Sequence, residues 1–333
     1  MVSTGIILSM AYPDTIVMVA EEWYSPLLRF VGIGKKNYVR AGHAALVLIN
    51  KSTGILEYHD FGRYITPEPN GRVRGMNTDH ELNFTIKAHI KNGIIKNIDD
   101  ILGFFATHPK LTHGEGRLIA SICHAVDYEK AKAYITAQQE RHFVRYAAFI
   151  KEASNCARFV TSTLIASVTS ISMRKKLIKS ERFTPSTVGN VVIANTGEYV
   201  YQVTQNGVIS KFESSAGAEN IRCFLDRLKD HKPNFVGTLK PIAIDHAHEN
   251  AQWLNGIGAG AWFELHETPV ANEFRFRRIS SYGNIDVDGL YKVSDNGFNY
   301  KASYSFTHYS NCAFYHIEQH DKVYRFDLID RIN

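Results

Sequence analysis

Two short runs separated by a polar turn predict a β-hairpin near the start of the chain. The first, residues 43–49, is apolar after His43, and the second, residues 55–61, mixes apolar and aromatic residues with Glu57, His59 and Asp60. Asn-Lys-Ser-Thr-Gly lies between them at 50–54. Runs of this length that are bounded by turn residues are typical of strands. A turn centred on Ser52 fixes the register in which the two strands pair.

In this register three polar side chains lie on one face of the sheet. His43 begins the first strand, and side-chain alternation places Glu57 and His59 of the second strand on the same face. A shift of one residue would bring Tyr58 and Asp60 to that face instead. We therefore predict that the His59 side chain contacts the His43 ring and fixes its orientation, with Glu57 and Asp60 as the alternatives.

A helix that begins at a cysteine is the second element predicted from the spacing of apolar residues. Ser154 or Asn155 is suited to cap it. One face then carries Cys156, Phe159, Val160, Thr163 and Leu164. A helix N-terminus carries roughly half a positive charge, which favours a thiolate. Cys156 therefore has the environment of a nucleophile if a histidine reaches it, and is otherwise an ordinary core cysteine.

The remaining pattern predicts two domains, residues 1–232 and 233–333. In the first, helical spacing is found at 98–105, 115–134 and 218–228, and strands are expected at 191–194 and 198–204. From 233 onward short alternating segments separated by turns predict a small, mostly antiparallel β domain. The sequence Ser-Asn-Cys-Ala occurs around both Cys156 and Cys312. Because the residues around Cys312 alternate as in a strand, we interpret Cys312 as structural.

Composition narrows the classes of function. The chain has 333 residues, 44% hydrophobic and 21% charged residues and a formal charge of +5, with no basic run that would indicate nucleic-acid binding. Its four cysteines are widely spaced, which favours reduced thiols in a cytoplasmic protein over disulfides or a zinc site. No signal peptide or membrane span is expected. The pair His246 and His248 is too small a set for a metal site, and no cofactor is predicted.

A loop follows the hairpin and is a candidate wall of a substrate site. Residues 62–80 are rich in Gly, Pro, Arg and Asn, as loops are. Arg63, Arg72 and Arg74 would be available there to an anionic group; a solvated loop with no such role is the alternative.

The order of these elements resembles the permuted NlpC-type, papain-like cysteine hydrolases, which include the lecithin:retinol acyltransferase-like proteins. Gly42-His43 before an apolar strand and Asn155-Cys156 before an apolar helix match the two signatures of that group. The resemblance covers about residues 1–190. The sequences of residues 11–15 and 184–190 are also similar to those of an uncharacterised bacterial family of this type. The resemblance implies an α+β fold in which a circularly permuted papain-like domain, with an antiparallel sheet and a cysteine helix, precedes the β domain.

The resulting hypothesis is a cysteine hydrolase of peptidase or amidase type that acts through an acyl-enzyme. Cys156 would be the nucleophile, His43 the base, His59 the orienting residue, and the Cys156 backbone N–H part of an oxyanion hole. The substrate would be a peptide, an amide or another small acyl compound. Two alternatives are a non-catalytic binding module on the same scaffold and a thioesterase or acyltransferase.

Overall fold

The structure is a computed structural model that describes residues 3–18, 25–30, 32–34, 38–64, 66, 69–79, 82–141, 143–231, 241, 243–256, 259–281, 283–307, 310 and 314–332. The chain divides into two compact units. Unit 1 consists of Met1–Gly62 and Arg72–Lys232, and unit 2 of Arg63–Gly71 and Pro233–Asn333.

The strands are β1 (Gly5–Tyr12), β2 (Ile16–Met18), β3 (Tyr38–Arg40), β4 (His43–Asn50), β5 (Leu56–Gly62), β6 (Asn70–Arg74), β7 (Ile90–Lys91), β8 (Ile94–Ile95), β9 (Leu118–Val126), β10 (Val144–Arg145), β11 (Tyr201–Val203), β12 (Ile209–Lys211), β13 (Gln252–Gly256), β14 (Ala259–Glu267), β15 (Glu273–Ser280), β16 (Ile285–Val293), β17 (Ser305–Phe306), β18 (Phe314–Gln319) and β19 (Lys322–Arg331). The helices are α1 (Ser25–Phe30), α2 (Ile98–Thr107), α3 (Pro109–Thr112), α4 (Tyr128–Glu140), α5 (Cys156–Ser167), α6 (Ile171–Glu181), α7 (Thr187–Ala194) and α8 (Ala216–Phe224).

Unit 1 is built on an eight-stranded sheet in the order β10-β6-β5-β4-β1-β9-β11-β12. All eight residues of β1 are buried, since an apolar cluster covers each face of the sheet. One cluster joins Ile7 and Leu46 to Phe159 and Val160 of α5, and the other joins Leu8 and Val47 to α2. The cysteine helix therefore packs on one face of the sheet, close to the strand that His43 begins.

The structure corrects the helix predicted over residues 115–134. Residues 118–126 form β9, which pairs with β1 and β11, and helix α4 begins only at Tyr128, after the N-cap Asp127. A strand buried on both faces is apolar at nearly every position, so its sequence also satisfies helical spacing. The strand predicted at 191–194 is also wrong, because a short apolar segment of a buried helix has the same pattern as a buried strand. These residues are the end of α7, whose N-cap Ser186 accepts a hydrogen bond from the Gly189 amide at 2.9 Å.

Unit 2 is a seven-stranded antiparallel sheet in the order β13-β14-β15-β16-β19-β18-β17, which confirms the antiparallel β character predicted for this part of the chain. The first and last strands approach one another. The Gln252 side chain donates to the Tyr304 carbonyl and accepts from the Phe306 amide, each at 2.9 Å. The sheet is therefore nearly closed, around an aromatic core that includes Phe276, Tyr315 and Phe326. Cys312 lies outside the described residues.

Within the described ranges, no helix has both the length and the hydrophobicity that crossing a membrane requires. The same ranges contain no cluster of three or more His, Cys, Asp or Glu side chains that could hold a metal ion.

Candidate active site

Cys156 is the first residue of α5, and its neighbour Asn155 fixes the start of that helix. The Asn155 side chain accepts a hydrogen bond from the Arg158 amide at 2.9 Å and donates to the Ala147 carbonyl at 3.1 Å. Its φ and ψ of −148° and 175° are those of an N-cap in extended conformation. Of the two capping residues that the sequence left open, Asn155 is the one observed. The thiol therefore lies in the field of the helix N-terminus.

Arg158 holds the loop that leads into Cys156. Its guanidinium donates to the carbonyls of Ala153 at 2.9 Å, Ile150 at 3.1 Å and Ala148 at 2.8 Å. Arg158 is itself only 8% exposed. Because one buried side chain satisfies three loop carbonyls, the backbone before the cysteine is held in a defined position.

His43 begins β4, directly after a glycine that lets the chain turn tightly. Gly42 has a φ of +73°, and a Cβ there would lie 3.1 Å from both the Pro13 Cα and the Thr187 hydroxyl oxygen. The Gly42 amide donates to the Thr15 carbonyl at 3.0 Å. These constraints fix the backbone that presents the imidazole, which is 6% exposed.

The His43 ring has two polar neighbours. Its Nε2 lies 3.1 Å from Oδ2 of Asp60, and the Cys156 side chain is close enough to contribute to the raised pKa of the ring. Since Nε2 faces Asp60, Nδ1 is the ring nitrogen left for the thiol. The structure thus places His43 and Cys156 in one site, although they lie far apart in the chain.

Asp60 is fully buried and is surrounded by donors. Arg74 donates to its two oxygens, from Nε to Oδ1 at 2.9 Å and from Nη2 to Oδ2 at 2.7 Å. The Tyr58 hydroxyl lies 2.9 Å from Oδ2. Burial by itself would raise the pKa of Asp60, but the charge and hydrogen bonds of Arg74 and His43 outweigh it and hold that pKa well below its ordinary value. An ionised carboxylate can only accept hydrogen bonds, so Nε2 of His43 must donate to it.

His43 is therefore protonated at neutral pH. Burial lowers its pKa, but the hydrogen bonds to Asp60 and Cys156 and the Asp60 charge outweigh that effect and raise the pKa to about 9. A cysteine at a helix N-terminus beside an imidazole is the setting in which nucleophilic cysteines are found. The arrangement is suited to nucleophilic attack by sulfur, followed by protonation of a leaving group by His43.

The predicted hairpin register is wrong by one residue. Asp60 pairs with Ala45 and His59 with Leu46, so Asp60 shares a face with His43 and His59 lies on the other face. The cause is the position of the turn. The observed pairs, Leu48 with Glu57 and Ile49 with Leu56, centre it between Ser52 and Thr53 instead of on Ser52. Each residue of β4 therefore faces the residue one position later in β5 than predicted.

His59 and Glu57, the other predicted orienting residues, contact different partners. The His59 Nδ1 donates to the Arg74 carbonyl at 3.2 Å, and its Nε2 is buried with no hydrogen-bond partner among the described residues. Burial lowers the pKa of His59 to about 4, despite the opposing effects of Glu57, the Arg74 carbonyl and Asp60. Glu57 accepts from the Tyr128 hydroxyl and from Lys132.

Two of the three arginines that the sequence suggested for an anionic group, Arg72 and Arg74, are held in buried ion pairs instead. Arg72 is 7% exposed and pairs with both oxygens of Asp79, at 2.8 and 2.6 Å. Arg74 is fully buried against Asp60. Arg63 belongs to unit 2. The role of Arg74 beside Asp60 was missed, yet the sequence contained one signal for it, since a carboxylate inside a buried strand requires a cationic partner.

Two of the other cysteines have environments that differ from that of Cys156. Burial raises the pKa of Cys123 to about 11, and its sulfur lies 3.8 Å from that of Met173. Burial also raises the pKa of Cys223, whose sulfur lies 3.2 Å from the Pro13 carbonyl oxygen. These two thiols are in their protonated form at neutral pH and are poor nucleophiles.

Two family models match different parts of the chain. Residues 7–173 match the model of the Type VI secretion system effector TseH-like family, and residues 251–329 match that of the DUF6695 C-terminal domain. Among solved structures, the crystal structure of the Type VI secretion system effector TseH matches with a TM-score of 0.40 and 16% identity, over 63% of this chain and 98% of that one. No curated protein matches the chain. Because the first match covers slightly more than half of the sequence and includes His43, Asp60 and Cys156, the chain belongs to the Type VI secretion system effector TseH-like family.

Proposed function

We propose that the protein is a papain-like cysteine hydrolase of the effector type, with Cys156 as nucleophile, His43 as the acid that protonates the leaving group and then the base that activates water, and Asp60 as the residue that orients His43. Asp60 replaces His59, which the sequence favoured. The observation that carries the proposal is a buried imidazole whose Nε2 lies 3.1 Å from the Asp60 carboxylate, beside a cysteine that begins α5. The order His43, Asp60, Cys156 along the chain also supports the permuted arrangement that the sequence predicts.

The reaction begins with attack of the Cys156 sulfur on a carbonyl carbon. The carbonyl electrons move to oxygen, and the N–H of Cys156 stabilises that oxyanion, since the first amides of a helix have no intrahelical acceptor. When the tetrahedral intermediate collapses, the bond to the leaving amine or alkoxide breaks and Nδ1 of His43 supplies the proton. The now neutral His43 then takes a proton from water, which attacks the thioester; the carboxylic acid and the Cys156 thiolate are released and His43 is again protonated.

Peptide or amide substrates are the proposed class. The family description adds a second proposal, that the protein is delivered by a type VI secretion system and acts outside the cell that makes it. The cytoplasmic location expected from the composition stays a prediction.

Acylation by a small activated ester tests the proposal. Wild type and Cys156→Ala would be treated with p-nitrophenyl acetate, and the mass of each cysteine peptide and the p-nitrophenol released would be followed. We expect an acetyl group on Cys156 that turns over, so that p-nitrophenol exceeds one equivalent in wild type only. Equal acetylation of Cys123, Cys223 or Cys312 would contradict the proposal.

The same experiment separates the alternatives. A binding module on the same scaffold would release no more p-nitrophenol than Cys156→Ala does. An acyltransferase would form the acetyl adduct but turn it over only when an acceptor amine or alcohol is added. Release in water alone therefore distinguishes hydrolysis from transfer.

A further inference from the structure

We propose that Arg74 is a positioning residue of this site, which acts through Asp60 to keep His43 protonated and directed at Cys156. The inference rests on the proposed function and adds a fourth residue to it. Arg74 is a buried cation that the proposed reaction itself does not use.

The geometry of Arg74 ties three elements together. It lies on β6 directly opposite Asp60 of β5, and its guanidinium makes two parallel hydrogen bonds to the two carboxylate oxygens. Nη2 also donates to the Leu111 carbonyl of α3 at 3.0 Å. A bidentate arginine–carboxylate pair fixes the plane of the carboxylate as well as its charge. The oxygen that faces His43 is therefore held in one direction.

Because Asp60 and Arg74 are fully buried, their ion pair determines whether the Asp60 carboxylate stays charged. Asp60 and Arg74 each have no exposed side-chain surface. An isolated buried carboxylate would take up a proton instead of remaining charged, and removing one partner of a buried pair leaves the other uncompensated. Without Arg74, the oxygen that faces Nε2 would no longer be a charged acceptor, and the imidazolium would lose its main support.

Within the described part of the chain, polar and charged groups from several elements face His43 and Asp60. His43 is faced by Asp60, by Cys156 and by the ring of Tyr12, whose centroid lies 6.5 Å away. Asp60 is faced by Arg74, His43 and the Tyr58 hydroxyl. The Tyr58 hydroxyl has a single proton and also lies 3.1 Å from the Thr112 carbonyl, so it is not a substitute for the cation.

The strand offers a matched control in Arg72. It is also buried on β6 and also pairs in bidentate fashion with an aspartate, but that aspartate is Asp79 and not the partner of His43. Replacing Arg72 therefore breaks a similar buried ion pair without touching the site. A loss of general stability would appear in both variants, whereas a change in thiol reactivity is expected only for Arg74.

The experiment measures how the rate of Cys156 alkylation by iodoacetamide depends on pH, which needs no substrate. Wild type, Arg74→Met and Arg72→Met would be compared between pH 5 and 10 by peptide mapping. In wild type we expect fast alkylation that persists below pH 7. In Arg74→Met we expect the rate at pH 6 to fall by about tenfold or more, the ratio that one pKa unit represents, and to approach wild type above pH 9. Arg72→Met should retain the wild-type profile.

Arg74→Lys is the second variant, for the case in which Arg74→Met does not fold. It retains the charge but not the bidentate geometry, so its rate at pH 6 should lie at least threefold below wild type. A wild-type profile in the folded Arg74 variants, or an equal shift in Arg72→Met, would overturn the inference. Failure of the proposed function would be visible separately, because wild-type Cys156 would then react no faster than Cys123.

Discussion

Nε2 of His43 lies 3.1 Å from Oδ2 of Asp60 across the β4–β5 pair, while His59, one residue earlier in β5, is directed to the opposite face of the sheet. The side chain that orients the imidazole is therefore set by strand register alone. Two adjacent polar residues of one strand have different roles because successive side chains point to opposite faces.

Replacement of these two neighbours should separate their roles. Asp60→Asn removes the charge that holds the imidazolium, so we expect p-nitrophenyl acetate turnover to fall by about 100-fold or more. His59→Asn retains a donor for the Arg74 carbonyl and does not touch His43, so turnover should stay within about twofold of wild type once the folded fraction is matched by circular dichroism. Equal losses in both variants would show that the contact with His43 is not what orients the base.

Gly75 is predicted to be intolerant of even one methyl group. A Cβ there would lie 2.5 Å from Nδ1 and 2.7 Å from Cε1 of His59, and 3.0 Å from Nε2 of Gln139. The His59 ring is buried and bonded to the Arg74 carbonyl, so it has little room to move. We expect Gly75→Ala to lower the free energy of unfolding by about 1–3 kcal/mol, measured by urea denaturation.

Gly103→Ala is the control for this substitution. Gly103 lies in the interior of α2, where a Cβ would meet nothing within 4 Å. Alanine there should stabilise the protein by about 0.5–1 kcal/mol, since it reduces the freedom of the unfolded chain. If Gly75→Ala were as well tolerated as Gly103→Ala, the packing of His59 against this backbone would not be tight.

The strand that begins at His43 and the helix that begins at Cys156 could be predicted because their signals are local. A glycine before an apolar run and an Asn cap before helical spacing each act within a few residues. The hairpin register could not be predicted in the same way. It depends on whether the turn is centred on Ser52 or, as observed, between Ser52 and Thr53, and a turn sequence of Asn, Lys, Ser, Thr and Gly is compatible with both.

The partner of Asp60 was also beyond local reasoning. Arg72 and Arg74 alternate on β6, so both point to the same face, and only the pairing of β6 with β5 decides which one meets Asp60. A buried carboxylate requires a cation. That rule indicates that a partner exists without indicating which arginine it is.

Acid should destabilise the protein through His59 in a defined pH range. In the unfolded chain a histidine has a pKa of 6.5, whereas burial lowers that of His59 to about 4 in the folded state, although Glu57, the Arg74 carbonyl and Asp60 oppose the shift. Between these values the unfolded state binds one more proton than the folded state, so the free energy of unfolding should decrease as the pH falls, by about 1.4 kcal/mol per pH unit from this group. Asp60 has the same sign, but its contribution is lost only below its ordinary value of 3.8, outside this range.

His59→Asn should therefore flatten the dependence of stability on pH between 6.5 and 4. The measurement is urea denaturation at several pH values, and the control is His108→Gln, since the His108 ring is exposed on the surface of unit 1. His124 has a pKa that burial and Lys51 lower, so it leaves a smaller slope of the same sign in both variants. If His59→Asn retained the full wild-type slope while His108→Gln lost it, the proton uptake on unfolding would come from the surface histidine, and His59 would not be held neutral in the folded protein.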